Sequence, residues 1–583
     1  MISSSKTRNL LQRESQGGGL IELMRSNVPC YVLGLSYSHD ASVALLRDGV
    51  PRVAIQKERL TRRKHDGDIR DIDLAECIQY CLATEGISLA DVTLAVENSP
   101  TILYCKDRDF VLGLRRERLL DSIDPTRVIE ISHHLAHAYC AYGLSPFDTC
   151  AVMVIDGQGN YREDLTEDLS TAAVFPESSE PSYIERESFY MFSNGKCRVL
   201  RKHLSTIHKS FVRICGLGHL YERVASYVFR SRFDAGKLMG LAAYGRQIEG
   251  LRMLQVLPSG EIQYEKEWIQ ACNIPNPTPD VFNNNFRHYA DLAATTQAVL
   301  EDSVVCLAQW LRRSTGLLDL AYSGGVALNC EANRRLHNES GFARSFVVPP
   351  SSDCGISLGC AFYGYFAVLG RAKVNGEYLD YLGREYSAAE TEAALRSADG
   401  ISYREASDVA TEAAESLAKG GVIGWFQGAS EFGPRALGNR SILADPRSQS
   451  MRDHINANVK KREWFRPLAP VVLERSAQAI FDIASSPYML QTATVNPGWR
   501  DRLMAVSHVD GSARVQTVNS QQNPKLYRLI EEFEALTGIP VVLNTSFNGD
   551  SEPIVETPQD AVRSFLRTPM DRLFVGEFVV ERR

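Results

Sequence analysis

The stretch Ala151–Gly159, AVMVIDGQG, decides the fold class of this chain. An apolar run that ends in an Asp-Gly turn is typical of a buried strand whose carboxyl end opens onto a ligand. A similar element, Tyr31–Ser36 (YVLGLS), comes earlier, so we expect a weak internal duplication. Both elements alternate with helical patterns, which indicates a mixed α/β protein.

The rest of the chain extends this α/β pattern and divides it. We predict strands at 31–35, 42–46, 52–56, 92–96, 127–131, 151–155 and 318–322, and helices at 74–85, 289–313 and 326–336. A chain of 583 residues exceeds what one hydrophobic core supports. Because 373–400 loses the apolar pattern, we place a linker there, after a flexible extension (1–29) and a first domain (30–372) and before a second domain (401–583).

Composition narrows the classes of function. Lys and Arg total 64 against 71 Asp and Glu, a formal charge of -7, which gives no support for a nucleic-acid-wrapping surface. No secretory signal and no apolar run of membrane-spanning length is found, so we expect a cytoplasmic protein without a membrane partner. The 13 cysteines lack the paired spacing of a structural zinc site, and we expect reduced thiols.

A histidine pair follows the predicted strand at 127–131. His133 and His137 are four residues apart, so on a helix they share one face and can bind one metal ion. Taken alone, such a pair is more often packed or solvated than a ligand pair. Asp156 at a strand end and Asp353 before a helix change that balance, since imidazole and carboxylate together suit Fe, Zn or Mn. We read His134 as structural or as a neighbour of the ligands.

Glycine turns lie around these residues. They are Gly34, Gly157 with Gly159, and Ser323–Asn329 (SGGVALN). Glycine lets the backbone approach a phosphate, and a helix N-terminus offers unpaired N–H groups to an anion. One such turn is weak evidence, whereas three in order favour a nucleotide site.

The second half of the chain contains a dense basic cluster. Glu431–Ser441 and Lys460–Pro467 combine Arg and Lys with the aromatic pair Trp464–Phe465, which should anchor the segment. Arg binds phosphate or carboxylate in a bidentate manner, and Lys adds a point charge. An interdomain salt-bridge cluster is the alternative, and it fits Arg440 and Arg462 best.

Two further predicted strands contain polar side chains that are also suited to bind an anion. Ser512–Gln516 holds Arg514, and Val541–Asn548 ends in Asn, Thr and Ser, including Asn544 and Ser546. This strand end is a plausible cradle for a phosphate or carbamoyl group, and it is also an ordinary turn sequence.

Taken together, these motifs resemble one family. From about Val32 onward the chain resembles, in collinear order, the carbamoyltransferases of nodulation, cephalosporin and aminoglycoside tailoring. The motifs are GL at 34–35, HDAS at 39–42, HHLAH at 133–137, DG at 156–157, KLMGLAAYG at 237–245, SGG at 323–325 with Asn329, Asp353–Gly359, GPRALGNRS at 433–441, REWFRP at 462–467 and NTSFN at 544–548.

The resemblance implies a fold for each domain. The first would be similar to the tRNA-threonylcarbamoyltransferase branch of the actin-like ATPase fold, and the second to the YrdC fold. It implies metal ligands His133, His137, Asp156 and Asp353, with iron as the metal. The nucleotide would contact Gly157, Gly324, Gly325 and Asn329. Carbamoyl phosphate and its adenylate would contact Arg435, Lys460, Arg466, Arg514, Asn544 and Ser546.

The function expected from this resemblance is ATP-dependent O-carbamoyl transfer. Carbamoyl phosphate and Mg²⁺-ATP would give carbamoyl adenylate with the help of Arg435 and Lys460, and a hydroxyl of a small natural product would then accept the carbamoyl group. His39-Asp40 supplies the best-placed base, although a structural role for His39 is equally compatible. The basic run Lys57–His65 could contact phosphate or acceptor, with a surface charge run as the safer interpretation.

Other functions remain open at this point. A sugar or acid kinase of the actin-like fold, or a nucleotide-switched interaction protein, would explain the glycine turns but neither the histidine pair nor the Arg-rich second domain. Fused tRNA threonylcarbamoylation is a further alternative, which the negative charge disfavours mildly. A homodimer is one arrangement we consider.

Overall fold

A computed structural model describes residues 28–67, 73–98, 127–176, 182–206, 214–274, 278–374, 376 and 380–583. The predicted extension therefore lies outside the described residues except for 28 and 29. The strands are β1 Tyr31–Ser36, β2 Ser42–Arg47, β3 Val50–Gln56, β4 Val92–Asn98, β5 Val128–Glu130, β6 Thr149–Ile155, β7 Ala173–Phe175, β8 Tyr183–Ser193, β9 Lys196–Thr206, β10 Leu254–Val256, β11 Ile262–Tyr264, β12 Asp319–Ser323, β13 Arg344–Val347, β14 Ile401–Glu405, β15 Ile423–Phe426, β16 Arg440–Ala444, β17 Ala469–Leu473, β18 Thr492–Thr494, β19 Ser512–Arg514, β20 Gln516–Val518, β21 Val541–Ser546, β22 Arg572–Val575 and β23 Phe578–Arg582.

Helices cover both faces of the sheets. They are α1 Lys57–Thr61, α2 Ala75–Glu85, α3 His133–Leu144, α4 Leu217–Phe229, α5 Ala235–Ala242, α6 Pro279–Asn284, α7 Phe286–Thr315, α8 Cys330–Glu339, α9 Ile356–Tyr363, α10 Ala388–Arg396, α11 Val409–Ala418, α12 Gln449–His454, α13 Glu474–Phe481, α14 Pro497–Arg500, α15 Pro524–Thr537 and α16 Pro558–Arg567. Among the described residues, no helix is both long and apolar enough to cross a bilayer.

The first half of the chain contains two sheets built to one plan. One sheet has the order β3-β2-β1-β4-β5, and the other has β9-β8-β6-β12-β13 with β7 beyond β9. β1 pairs antiparallel with β2 and parallel with β4, and β6 in the same way pairs antiparallel with β8 and parallel with β12. The prediction of a mixed α/β fold is confirmed, and β1 and β6, the two elements noted in the sequence, occupy equivalent places.

Glycines bring α3, α9 and β1 into close contact at the centre of this half. A Cβ on Gly34 would lie 1.8 Å from the carbonyl oxygen of Ser357, and one on Gly359 would lie 1.8 Å from that of Ala136. The motif around Gly34 suggested a nucleotide-binding turn. Instead, Gly34 lies inside β1, where α9 packs directly on the strand. The close packing fixes the start of α3 relative to the residues before α9.

The second half forms one sheet of order β14-β23-β22-β15-β16-β21-β17-β20. The segment 373–400, predicted as a linker, contains the helix α10, whose Ser387 and Glu390 form a capping box. The helix predicted at 326–336 is divided: Gly325–Leu328 is a 3₁₀ turn, and α8 begins at Cys330 after Asn329 caps it. A capping Asn competes with the preceding backbone for hydrogen bonds, which explains the division.

The two halves interlock. Phe465 from the second half is buried within the core of the first. The side-chain amide of Asn333 donates to the carbonyl of Leu490 (2.8 Å), and Arg62 donates to the carbonyls of Pro553 and Ile554. The basic run around Arg62 thus lies against the second half instead of forming a purely solvated face.

Candidate functional site

The four predicted metal ligands converge at one buried point. His133 and His137 lie in the first turns of α3, Asp156 follows β6, and Asp353 precedes α9. One ligand atom from each lies within 4.8 Å of the others, and all four residues are buried. Nε2 of His133 is 3.5 Å from Asp156 and 3.4 Å from Asp353, and Nε2 of His137 is 3.6 Å from Asp353. We call this group the metal centre.

The histidines of the metal centre present the correct nitrogen to an ion. Nδ1 of His133 is 3.1 Å from Oδ1 of Asn98, whose amide nitrogen donates to Ile131, so Nδ1 carries the proton. Nδ1 of His137 is 3.2 Å from the hydroxyl of Ser323. Both Nε2 atoms are buried without a hydrogen-bond partner. Metal-bound histidines characteristically use one nitrogen for the ion and hydrogen-bond through the other, so these residues fit a bound transition metal.

Charges in the metal centre are mutually dependent. Burial lowers the pKa of His133, but Asp353 and Asp156 outweigh burial and raise it to about 10. Burial raises the pKa of Asp353, whereas His133 and His39 bring it well below its usual value. In the bare protein, protons thus compensate the buried carboxylates, and a divalent cation would take their place.

A chain of alternating imidazole and carboxylate groups extends outward from the metal centre. Nδ1 of His39 is 3.3 Å from Asp353, its Nε2 is 3.7 Å from Asp40, and Asp40 is 2.9 Å from Nδ1 of His65. Burial lowers the pKa of His39, but Asp40 and Asp353 raise it to about 10. The exposed ring of Phe233 stacks on His65 with centroids 4.8 Å apart. The positions of His39 and Asp40 are compatible with both predicted roles, and Phe233 was missed.

The predicted nucleotide turn is joined to the metal centre. The backbone N–H of Gly325 donates to Asp156 (2.7 Å), and Gly324 has φ 95°, in the region that favours glycine. Asn329 accepts from the N–H of Ala332 and exchanges two hydrogen bonds of 2.9 Å with Gln297. Gly157 directly follows the Asp156 that Gly325 contacts, and a Cβ at Gly157 would be 2.7 Å from Glu222.

Cationic side chains of the second half form the other constellation, which we call the cation cluster: Arg435, Lys460, Arg466 and Arg514. Within the described part of the chain, no carboxylate lies within ion-pair distance of Arg435, Lys460 or Arg514. Burial, Arg514 and Arg466 together lower the pKa of Arg435 to about 9. A buried group of like charges without counterions is unstable unless an anion completes it, so this arrangement is suited to bind an anion.

The polar residues of the cation cluster hold its members in place. Lys460 donates to the carbonyls of Ser546 and Asn548 and to their side chains, at 2.6–3.2 Å. The amide of Asn544 donates to Ala436 and Gln516, which leaves its oxygen without a partner. Ser546 and Asn544 therefore shape the cluster as well as line it.

Two basic residues take no part in the cation cluster as binding groups. Arg440 donates to the carbonyls of Gln427 and Gly428 and lies 3.6 Å from the ring centre of Phe426. Arg462 donates to Asn456 and to a neighbouring carbonyl. The salt-bridge alternative is wrong for both, because they bond to neutral oxygens and, among the described residues, to no carboxylate within 4 Å.

A buried carboxylate that the sequence analysis missed organises the loop that carries Arg435. Glu431 accepts from the N–H groups of Leu437 (2.7 Å), Asn439 (2.7 Å) and Arg440 (3.2 Å). Such a carboxylate replaces the missing backbone partners of a turn. The signal for it was its position directly before the Phe-Gly-Pro-Arg motif.

The metal centre and the cation cluster approach each other across the interface. Arg435 donates to the carbonyl of Leu328 (3.5 Å), within the turn that begins at Gly325. Burial raises the pKa of Cys330, while the nearby Arg514 and Arg435 oppose the rise and leave it at about 11. A cavity of about 600 Å³ beside Arg514 is lined by both halves of the chain.

Comparison with known proteins agrees with this arrangement. The carbamoyltransferase N-terminus model matches residues 31–99 and 101–362, and the carbamoyltransferase C-terminus model matches residues 414–582. The chain belongs to the carbamoyltransferase family. It is therefore a transferase enzyme, and the two matches fall within the two predicted domains.

Two relatives of this carbamoyltransferase have names that state a function or a biological process. Nodulation protein NolNO of Sinorhizobium fredii is 33% identical over 97% of this chain and 82% of its own. The 3'-hydroxymethylcephem-O-carbamoyltransferase of Amycolatopsis lactamdurans is 32% identical over 60% of this chain and 65% of its own.

Two solved structures show a distant similarity to this chain. HypF in its phosphate- and nucleotide-bound form is 14% identical and covers 58% of this chain and 55% of its own, with a TM-score of 0.36. A ROK hexokinase from Thermus thermophilus is 15% identical and covers 58% of this chain and 99% of its own, with a TM-score of 0.31.

Proposed function

We propose that this carbamoyltransferase is an ATP-dependent O-carbamoyltransferase that makes carbamoyl adenylate in a YrdC-like second domain and uses it in an actin-like first domain. The acceptor is a hydroxyl of a small molecule. The observation that carries the proposal is the partly buried cation cluster, in which Arg435, Lys460 and Arg514 have no carboxylate within ion-pair distance among the described residues. Its Arg435 contacts the glycine turn that is bonded to the metal centre. A site for phosphates and a site for a cation are thus adjacent in one molecule.

Activation of the carbamoyl group belongs to the cation cluster. Atom balance requires water to split carbamoyl phosphate into carbamate and phosphate. A carbamate oxygen then attacks the α-phosphorus of Mg²⁺-ATP and displaces pyrophosphate. Arg435, Arg466 and Arg514 bind the phosphoryl oxygens, and Lys460 adds its charge where negative charge develops. Enclosure by both domains keeps carbamate from escaping.

Transfer belongs to the metal centre and the imidazoles around it. The acceptor hydroxyl attacks the carbamoyl carbon, AMP leaves, and the hydroxyl proton passes to the carboxylate of Asp40. His39, whose pKa of about 10 keeps it protonated, holds that carboxylate in place. The ion, which we propose is Fe²⁺, would polarise the carbamoyl group or orient the adenylate phosphate. Gly324 and Gly325 offer backbone N–H groups to the phosphate, and Asn329 holds the start of α8 in position.

The test is carbamoyl-phosphate-dependent release of pyrophosphate from ATP by the purified protein loaded with Fe²⁺. We expect pyrophosphate and AMP with carbamoyl phosphate present, and a carbamate ester when an acceptor alcohol is added. ADP and a phosphorylated acceptor, without need for carbamoyl phosphate, would instead establish the kinase. ADP alone would indicate a nucleotide-switched protein.

A further inference from the structure

Helix α5 of the first domain contacts the loop that supplies Arg466 to the cation cluster. Nζ of Lys237 in α5 is 2.8 Å from Oε1 of Glu463, and the same Nζ is 3.1 Å from Asp234. Gly240, one turn later in α5, faces Pro467, since a Cβ there would lie 3.2 Å from its ring. The contact thus extends along the helix.

Glu463 contacts Arg466 as well as Lys237. Its other carboxylate oxygen is 3.7 Å from Nη1 of Arg466, and its carbonyl accepts from the backbone N–H of Arg466 (3.3 Å). Burial raises the pKa of Glu463, but the hydrogen bond from Lys237 holds it below its usual value. Glu463 is consequently an anion between two cations, one from each domain.

Phe465, between Glu463 and Arg466, anchors the loop in the first domain. It is 1% exposed and packs among aromatic side chains of the first domain, with ring centres 6.1 Å from Phe282 and 6.2 Å from Phe229. The backbone on either side of Arg466 is therefore held by apolar contacts, and its guanidinium lies within ion-pair distance of Glu463. Arg466 itself remains about a third exposed and available to a ligand.

We propose that Lys237 is a positioning residue for the carbamoyl phosphate site, acting through Glu463 on Arg466. The first domain would then complete the activation site of the second, although its own metal centre serves transfer. This inference rests on the proposed function of the cation cluster. It assigns to Lys237, in the first domain, an effect on the affinity of an anion bound in the other.

Binding of carbamoyl phosphate, measured by calorimetry, tests the proposal without turnover, and pyrophosphate release measures KM and kcat. We expect Lys237→Met to weaken binding and raise the KM for carbamoyl phosphate about tenfold, with kcat changed by less than about twofold, since one ion-pair partner is lost and the attacking groups remain. Lys237→Arg keeps the charge and should restore most of the affinity.

A double-mutant cycle separates this role from a merely structural one. If Lys237 acts through Glu463, the double variant Lys237→Met with Glu463→Gln should bind carbamoyl phosphate as tightly as the single variant that has the lower affinity. The matched control is Arg344→Met, which loses an exposed ion pair with Asp319 within the first domain and should not change the affinity. Metal content and the midpoint of thermal unfolding confirm that each variant is folded.

Three results would overturn the inference: unchanged affinity in Lys237→Met, additive effects of the two substitutions, or equal loss of metal, stability and both half-reactions. Failure of the proposed function is distinguishable from these. In that case the unsubstituted protein itself would release no pyrophosphate in the presence of carbamoyl phosphate.

Discussion

The metal centre is buried and the cation cluster is partly buried, and the charges of the two sites are balanced in opposite ways. The metal centre combines two imidazoles with two carboxylates, and its Nε2 atoms lack hydrogen-bond partners. In the cation cluster, Arg435, Lys460 and Arg514 have no carboxylate within ion-pair distance among the described residues, and their charges repel one another. The sign of the excess charge indicates the ligand, a cation in one site and an anion in the other.

The two sites also differ in how they are constructed. All four predicted metal ligands come from the first domain and are fixed by α3, β6 and the start of α9. The cation cluster comes from the second domain, but two residues of the first domain support it: Leu328 contacts Arg435, and Lys237 contacts Glu463. Substitutions at the metal centre should consequently affect one half-reaction, whereas those at the interface should affect the other.

The largest effect is expected from His137→Ala. Removal of one of four ligands should reduce metal affinity by more than the about 10–100-fold known for loss of an outer hydrogen-bond partner. Metal content and carbamoyl transfer should both fall to background, while pyrophosphate release stays close to that of the unsubstituted protein. Equal loss of both half-reactions would contradict separate sites.

Arg514→Ala should have the opposite effect: it should reduce pyrophosphate release and leave the metal centre intact. If Arg514 binds phosphate as proposed, removal of this partly buried cation should weaken activation by about 2–5 kcal/mol, so that pyrophosphate release falls at least about 30-fold. Metal content should not change. Arg528→Ala is the matched control, because that arginine is exposed and pairs with Asp408 in the same domain. A loss of metal in Arg514→Ala would break the comparison.

The metal centre was the part of the site that sequence could predict best. His133 and His137 are local to one helix, so their spacing alone places them on one face. Asp156 and Asp353 were candidates from their places at a strand end and before a helix, but only the resemblance joined them to the histidines as one ligand set, since each lies far along the chain. His65 and Phe233 were missed as partners of His39 because the segments after α1, before α5 and after β1 meet only in the tertiary structure.

Glycine was the least reliable guide. Gly34 and Gly324 look alike as residues at or near strand ends, but Gly34 allows a helix to touch a strand and Gly324 adopts a positive φ before the turn that bonds to Asp156. Local sequence does not distinguish a close packing contact from a turn, because both only require the absence of a Cβ. The duplicated sheet order was predicted only in outline, from β1 and β6.

Asn98→Ala probes the orientation of the metal ligands and should have a smaller effect. Asn98 accepts from Nδ1 of His133, so its loss should lower metal affinity about 10–100-fold without changing the ligand set. Asn98→Asp keeps an acceptor and is the matched control. Metal titration measures both variants, and equal affinity in Asn98→Ala and the unsubstituted protein would mean that His133 needs no such support.

Ser546→Ala should have the smallest effect and defines how the cation cluster is supported. Its hydroxyl lies 3.2 Å from Nζ of Lys460 and 2.6 Å from the side-chain oxygen of Asn548. Three further oxygens also accept hydrogen bonds from Nζ of Lys460. Loss of one hydrogen bond among several corresponds to about 0.5–1.5 kcal/mol, so the KM for carbamoyl phosphate should rise about two- to tenfold. A far larger loss would mean that Ser546 contacts the substrate directly, and no loss would mean that Lys460 is held by the carbonyls alone.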